Sequence, residues 1–173
     1  SFLSGVGQAP ADPILGVSVA FRESTNPNKL NLGVGAYRTE DLKPYVLDVV
    51  RQAEKRMIEA DFDKEYLPMQ GLAEFNEATR KLLLGEGSAA IAESRVAKVQ
   101  SLSGTGSLRV GAAFIAKFMP GAVVYLPSPT WGNHKNIFAD AGVEWREYRY
   151  YDKATIGLDL DGMIADLKAA PAG

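Results

Sequence analysis

Between residues 96 and 150 the chain alternates short apolar runs with longer helix-like ones: "VAKVQSL" (96–102), "GSLRVGAAFIAKF" (106–118), "AVVYLP" (122–127), "WGNHKNIFADA" (131–141) and "VEWREYRY" (143–150). Strands separated by whole helices cannot pair as tight hairpins, so the pattern calls for βαβ units and an α/β sheet with right-handed crossovers where strands run parallel. After "YYDKATIGLD", read as loop, "LDGMIADLKAA" reads as one more helix, its acidic start suiting the helix dipole. A helix after three strands calls for a further strand, since an open sheet would keep an uncovered edge. The reading is therefore an incomplete domain.

The residues before 96 supply helices and an arm. Asp12 and Pro13 in "ADPILGVSVAFRES" pair an N-cap with a first-turn proline, and Asn26-Pro27 ends that helix. "KLNLGVGAYR" reads as a strand or extended arm whose Gly33 and Gly35 permit close approach of other atoms. From Pro44, Val46, Val49, Val50, Ala53, Met57 and Ala60 keep helical spacing opposite Arg51, Glu54, Lys55 and Glu59. Pro68 and Gly71 break the pattern, and Leu72, Phe75, Leu82 and Leu83 form a second helix closing near Gly85, followed by "GEGSAA" as loop.

Composition excludes several chemistries. The chain has no cysteine and a single histidine, so thiolate nucleophiles, disulfides and Cys- or His-built metal sites are ruled out or improbable, and no metal is expected. A net charge of −2 without a dense basic run argues against nucleic acid and anionic membrane, and points to a small-molecule ligand or a protein partner. No apolar stretch approaches the roughly 20 residues of a membrane span. "SFLSGVGQAPADP" lacks the charged start and apolar middle of a signal peptide, as a trimmed mature form would.

Two stretches could carry chemistry. "SGTGSLR" (103–109) puts Gly104 and Gly106 at a strand-to-helix turn, where free amides, the positive helix end and the hydroxyls of Ser103, Thr105 and Ser107 suit a phosphate. The same residues also suit a tight turn that simply needs small side chains, and the local pattern does not decide. Arg109 replaces the last glycine of the dinucleotide fingerprint, and the P-loop lysine is missing, so neither of those motifs is present. In "LPSPTWGNHKNIF", Pro127 and Pro129 stiffen a turn that presents Trp131 at the same sheet edge. Trp131 is either a stacking platform for a flat ring or a packing residue. His134, three residues on, shares its helical face, and Tyr66 has a hydroxyl that either reaches a ligand or merely finds a hydrogen-bond partner.

Taken together, "DPILGV", "NLGVGAYR", "KEYLPMQGLAEF", "SGTGSLR", "PTWGNHKNIF" and "YRYYD" follow one another at spacings that resemble the amino-terminal part of the aspartate aminotransferases, pyridoxal-phosphate enzymes of fold type I. The likeness covers the chain from about Pro10 onward. It implies an arm and small-domain segment over 1–43, then part of the mainly parallel sheet of the large pyridoxal-phosphate domain over 44–173. By the same resemblance Ser103, Gly104 and Thr105 bind the cofactor phosphate. Trp131 stacks on the pyridine ring and touches substrate, and His134 supports the aspartate facing the ring nitrogen. Tyr66 reaches the cofactor phosphate of the neighbouring subunit in a homodimer. Val34 and Gly35 belong to a loop that closes over substrate, and Ile14 and Leu15 form an apolar wall at the site entrance.

The resemblance further implies transamination between L-aspartate and 2-oxoglutarate in the full-length protein. The family's Schiff-base lysine, its ring-nitrogen aspartate and its substrate-clamping arginines match no position of these 173 residues, so no catalytic residue is assigned and the chain alone is expected to be inactive. The competing reading is a truncated transaminase-like subunit with a structural or interaction role. The family has cytosolic, mitochondrial and plastid members, and the opening "SFLSGVGQ" favours the mitochondrial form.

Overall fold

The computed structural model describes residues 2–8, 13–33 and 35–172, with the side chains of 13–15 outside that description. The chain divides into two compact units, Ser1–Lys64 and Glu65–Gly173.

In the first unit, helix α1 (Pro13–Glu23) forms as the proline start requires, while its expected cap, Asp12, lies outside the described residues. Lys29 folds back on the helix end, its Nζ donating to the carbonyls of Phe21 and Ser24 at 2.7 Å each. A cation on the last orphan carbonyls offsets the negative end of the dipole. The stretch 29–38 forms no strand among its described residues; Arg38 bridges Pro44, with Tyr45 N–H donating to Tyr37 O at 2.9 Å. That bridge occupies Pro44, so α2 (Asp48–Glu59) starts four residues later than the apolar spacing suggests. Val49 and Met57 on its apolar stripe are exposed, and the polar face carries Arg51–Glu54 (3.0 Å) and Lys55–Glu59 (3.7 Å) ion pairs. Such exposed pairs contribute only a few tenths of a kcal/mol.

The second unit opens with α3 (Ala73–Leu84), closed by Gly85 at φ +79°, whose N–H donates to Lys81 O at 2.8 Å. One helical turn, α4 (Ala89–Ala92), lies where the sequence suggested only a loop. The predicted strand 96–102 is a correction: it pairs with no strand among the described residues. A strand exists through its ladder, and here one bond, Gln100 N–H to Gln70 O at 2.9 Å, is made to a loop instead. Next come α5 (Ser103–Phe118), β1 (Val123–Ser128), α6 (Gly132–Asp140) and β2 (Glu144–Arg149). β1 and β2 pair in parallel, from Val123↔Glu144 to Ser128↔Arg149, which gives the predicted βαβ unit.

The stretch read as loop at 150–159 also holds a small antiparallel ribbon, β3 (Tyr151–Asp152) with β4 (Gly157–Leu158). Asp152 builds its turn by accepting from Ala154 N–H at 2.9 Å and the Thr155 hydroxyl at 2.8 Å. Helix α7 (Leu160–Ala169) is capped by Asp159, which accepts from Gly162 N–H at 2.8 Å, worth about 1 kcal/mol. The core joins Ala112 of α5, Leu126 of β1, Ile137 and Phe138 of α6, and Val143, with Leu108, Ile115, Val124 and Trp145 against it. The architecture is thus α/β, with helices laid on a small parallel sheet.

A carboxylate fastens α7 to β2. Asp166 accepts from Arg149 Nη2 at 2.7 Å and from Arg149 N–H at 2.8 Å, and the guanidinium bond comes first in holding its pKa at about 2, below the ordinary 3.8. A depressed folded-state pKa adds stability that is complete above the unfolded value and fades as pH falls through the folded one. The stability difference between the native full-length protein and its Asp166→Asn variant is therefore expected to be constant above about pH 5 and to shrink between pH 4 and 2. Urea midpoints at matched pH read it; a difference that stays constant down to pH 2 excludes the pairing.

Candidate functional site

Helix α5 begins three residues earlier than the sequence suggests, so "SGT" is the first turn of the helix and not a loop ahead of it. Its glycines have ordinary helical conformations; the left-handed residue is Ser103, at φ +55°. A side chain costs about 1 kcal/mol or more there, and such strain persists only where the surroundings enforce it. Leu102 stands at the N-cap and supplies no side-chain bond. The first bond at this end is Gly106 N–H to Leu102 O at 3.1 Å, which leaves the amides of Ser103, Gly104 and Thr105 ahead of the helical ladder. A Cβ added at Gly104 would meet nothing within 4 Å, so the space in front of that turn is open, and Ser103, Gly104 and Thr105 are exposed.

The reading of Ser107 as a third ligand-facing hydroxyl is corrected. Its Oγ donates to Ser103 O at 2.7 Å and lies 2.6 Å from Ser101 Oγ, so it braces the turn from behind.

The start of α6 lies beside that of α5. Asn133 Nδ2 donates to Thr105 Oγ1 at 3.4 Å, which ties the two first turns together. Trp131 occupies the N-cap position after a cis Ser128–Pro129 peptide and remains 43% exposed. The Trp131 and His134 rings meet edge to face at 5.5 Å and 82°, and His134 Nδ1 shares a hydrogen bond with Thr130 Oγ1 at 2.8 Å. Neither helix has an acidic residue in its first turn. Two uncapped positive helix ends at the carboxyl end of β1 thus stand beside a half-open indole, an arrangement that suits an anion attached to a planar ring.

Ser103, Gly104, Thr105, Trp131 and His134 are therefore brought together. Thr130 and Asn133, which hold His134 and Thr105, were not singled out from the sequence; a polar residue four before a histidine, or one at a helix start, is too common to signal a role. Tyr66 is fully exposed in the irregular stretch before α3. Gly35 belongs to the first unit and is exposed, with nothing within 4 Å of an added Cβ. Val34 lies outside the described residues; Ile14 and Leu15 are in α1, with their side chains outside the description. Among the described residues no group of His, Asp or Glu is placed to hold a metal ion, and no helix is long and apolar enough to cross a membrane.

Comparison with known proteins matches residues 27–173 to the family described as "Aminotransferase class I and II". The chain is 64% identical over 173 residues to "Aspartate aminotransferase, chloroplastic" of Arabidopsis thaliana and 63% identical to "Aspartate aminotransferase P2, mitochondrial" of Lupinus angustifolius. Each comparison covers 100% of this chain and 38% of the relative's length. Among solved structures, an aromatic-amino-acid aminotransferase from Burkholderia pseudomallei, covalently bound to pyridoxal phosphate, superposes with TM-score 0.89 at 46% identity, over 100% of this chain and 43% of that one. The cytoplasmic aspartate aminotransferase of Saccharomyces cerevisiae gives TM-score 0.89 at 38% identity, over 99% of this chain and 42% of that one. The α/β fold is part of the fold type I aminotransferase architecture, and the chain belongs to the aminotransferase class I and II family.

Proposed function

We propose that the full-length protein transfers an amino group between L-aspartate and 2-oxoglutarate, giving oxaloacetate and L-glutamate, with pyridoxal phosphate as cofactor. The observation that carries this reading is the uncapped first turn of α5, with Ser103 held left-handed beside the half-open Trp131. The donors there fit a phosphate dianion: backbone amides of Ser103, Gly104 and Thr105, two hydroxyls and the helix dipole. Pyridoxal phosphate supplies an electron sink for the bond changes at the amino acid α-carbon. In this reading Trp131 orients the ring by stacking and shields it from water, while His134, pinned by Thr130, supports the carboxylate at the ring nitrogen. Full exposure of Tyr66 supports a hydroxyl offered to the phosphate of the neighbouring subunit in a homodimer. Val34, Gly35, Ile14 and Leu15 are assigned to the substrate side.

The domain division at 43/44 is part of the same proposal, as is a mitochondrial location; the relatives carry chloroplastic, mitochondrial and cytoplasmic names. The test uses full-length protein loaded with pyridoxal phosphate, followed for oxaloacetate formation from aspartate and 2-oxoglutarate. Oxaloacetate production is expected, and the 173 residues alone are expected to give none. Failure to retain the cofactor overturns the whole reading, and turnover of aromatic amino acids without aspartate overturns the substrate assignment.

A further inference from the structure

We propose that Gln100, together with Gly71 and Asn76, is a positioning clasp that sets the Ser103 turn and the Tyr66 loop in register with each other; the proposal rests on the phosphate-binding role given to both segments above. Gln100 grips the two residues flanking Gly71. Its N–H donates to Gln70 O at 2.9 Å, and its Oε1 accepts from Leu72 N–H at 2.8 Å. Asn76, the buried polar residue of α3, donates from Nδ2 to the same Gln70 carbonyl at 2.6 Å. Both lone pairs of one loop carbonyl are thereby engaged, one from α3 and one from the segment entering α5.

Gly71 makes the close approach possible. Its φ is +84°, and an added Cβ would lie 2.2 Å from Gln100 Cβ and 2.6 Å from Oε1. The loop itself is a tight turn, with Gly71 N–H donating to Pro68 O at 2.8 Å. From this knot Tyr66 stands four residues upstream of Gln70, and Ser103 three residues downstream of Gln100. Ser103 has no cap of its own and sits in a costly conformation, so its neighbours must enforce it. Behind it the Ser107 hydroxyl holds its carbonyl at 2.7 Å; ahead of it Ser101 Oγ lies 2.6 Å from Ser107 Oγ, and the bonds that reach the Tyr66 loop are those of Gln100. A side chain used only for packing would not aim its carbonyl oxygen at a loop N–H while the main-chain N–H of the same residue binds that loop's carbonyl.

The test compares full-length Gln100→Leu, Gln100→Asn and Gln100→Glu with wild type by dissociation constants for pyridoxal phosphate and for pyridoxal, which lacks the phosphate, and by unfolding temperature without cofactor. Gln100→Leu is expected to weaken pyridoxal phosphate about tenfold while changing pyridoxal less than about twofold, and Gln100→Glu, which keeps the acceptor oxygen, to recover to within about threefold. If the leucine variant does not fold, the asparagine variant, one methylene shorter, is read against the same numbers. Equal weakening of both ligands, or no weakening, overturns the clasp. A wild-type protein that binds pyridoxal as tightly as pyridoxal phosphate would instead overturn the phosphate assignment beneath it.

Discussion

Replacing Ser103 and Thr105 together by alanine in the full-length protein is expected to lower its affinity for pyridoxal phosphate at least a hundredfold. Each hydroxyl lies in the uncapped first turn of α5, and a hydrogen bond to a charged acceptor contributes about 1.5–3 kcal/mol, so two amount to about 3 kcal/mol or more. The backbone amides and the helix dipole survive the substitution, so binding is weakened and not abolished. Substrate binding, judged by the KM for aspartate at saturating cofactor, is expected to move far less. Equilibrium dialysis against the cofactor reads the effect, and unchanged retention rejects the assignment of these two hydroxyls.

The second large effect concerns what holds the indole in place. Phe138 is buried in the cluster that seats α6 on the parallel pair, between Ile137 and Val143. Phe138→Ala removes the whole ring from that contact and leaves a cavity, a change that costs about 3–5 kcal/mol. Because α6 carries Trp131 at its cap and His134 in its first turn, a loosened helix also blurs the edge-to-face pair. A lower urea midpoint accompanied by weaker ring binding is expected for the full-length variant. A loss of stability below 1 kcal/mol would mean that α6 is seated by something other than this core.

Much of the second unit was legible because its signals are local. Alternation of apolar runs identified β1, α6 and β2, and the three-residue spacing placed Trp131 and His134 on one face, as the rings confirm at 5.5 Å. The segment 96–102 has strand-like composition, but strand formation depends on a partner, and its Gln100 N–H bonds to Gln70 of a loop instead. The helix start at Ser103 has no local signal in the sequence, because the left-handed residue carries a side chain that no propensity favours there. Asn76 and Gln100 gave no signal, since their role depends on a loop 28 to 30 residues from Gln100 along the chain folding back onto it. For Tyr66 and Gly35 the sequence offered a hydroxyl and a small residue whose role only the resemblance named, and for Val34 the resemblance alone.

The central claim is that the first turn of α5 holds a phosphate dianion, and the 31P resonance of pyridoxal phosphate bound to the full-length protein tests it most directly. A free phosphate monoester dianion takes up its first proton at about pH 6. Amides, hydroxyls and a positive helix end all favour the dianion and push that step lower. The assignment predicts a resonance that stays at the dianion position from pH 8 down to pH 5.5 in wild type and begins to titrate in the Ser103→Ala, Thr105→Ala variant. A wild-type resonance that titrates near pH 6, like the free cofactor, would contradict it.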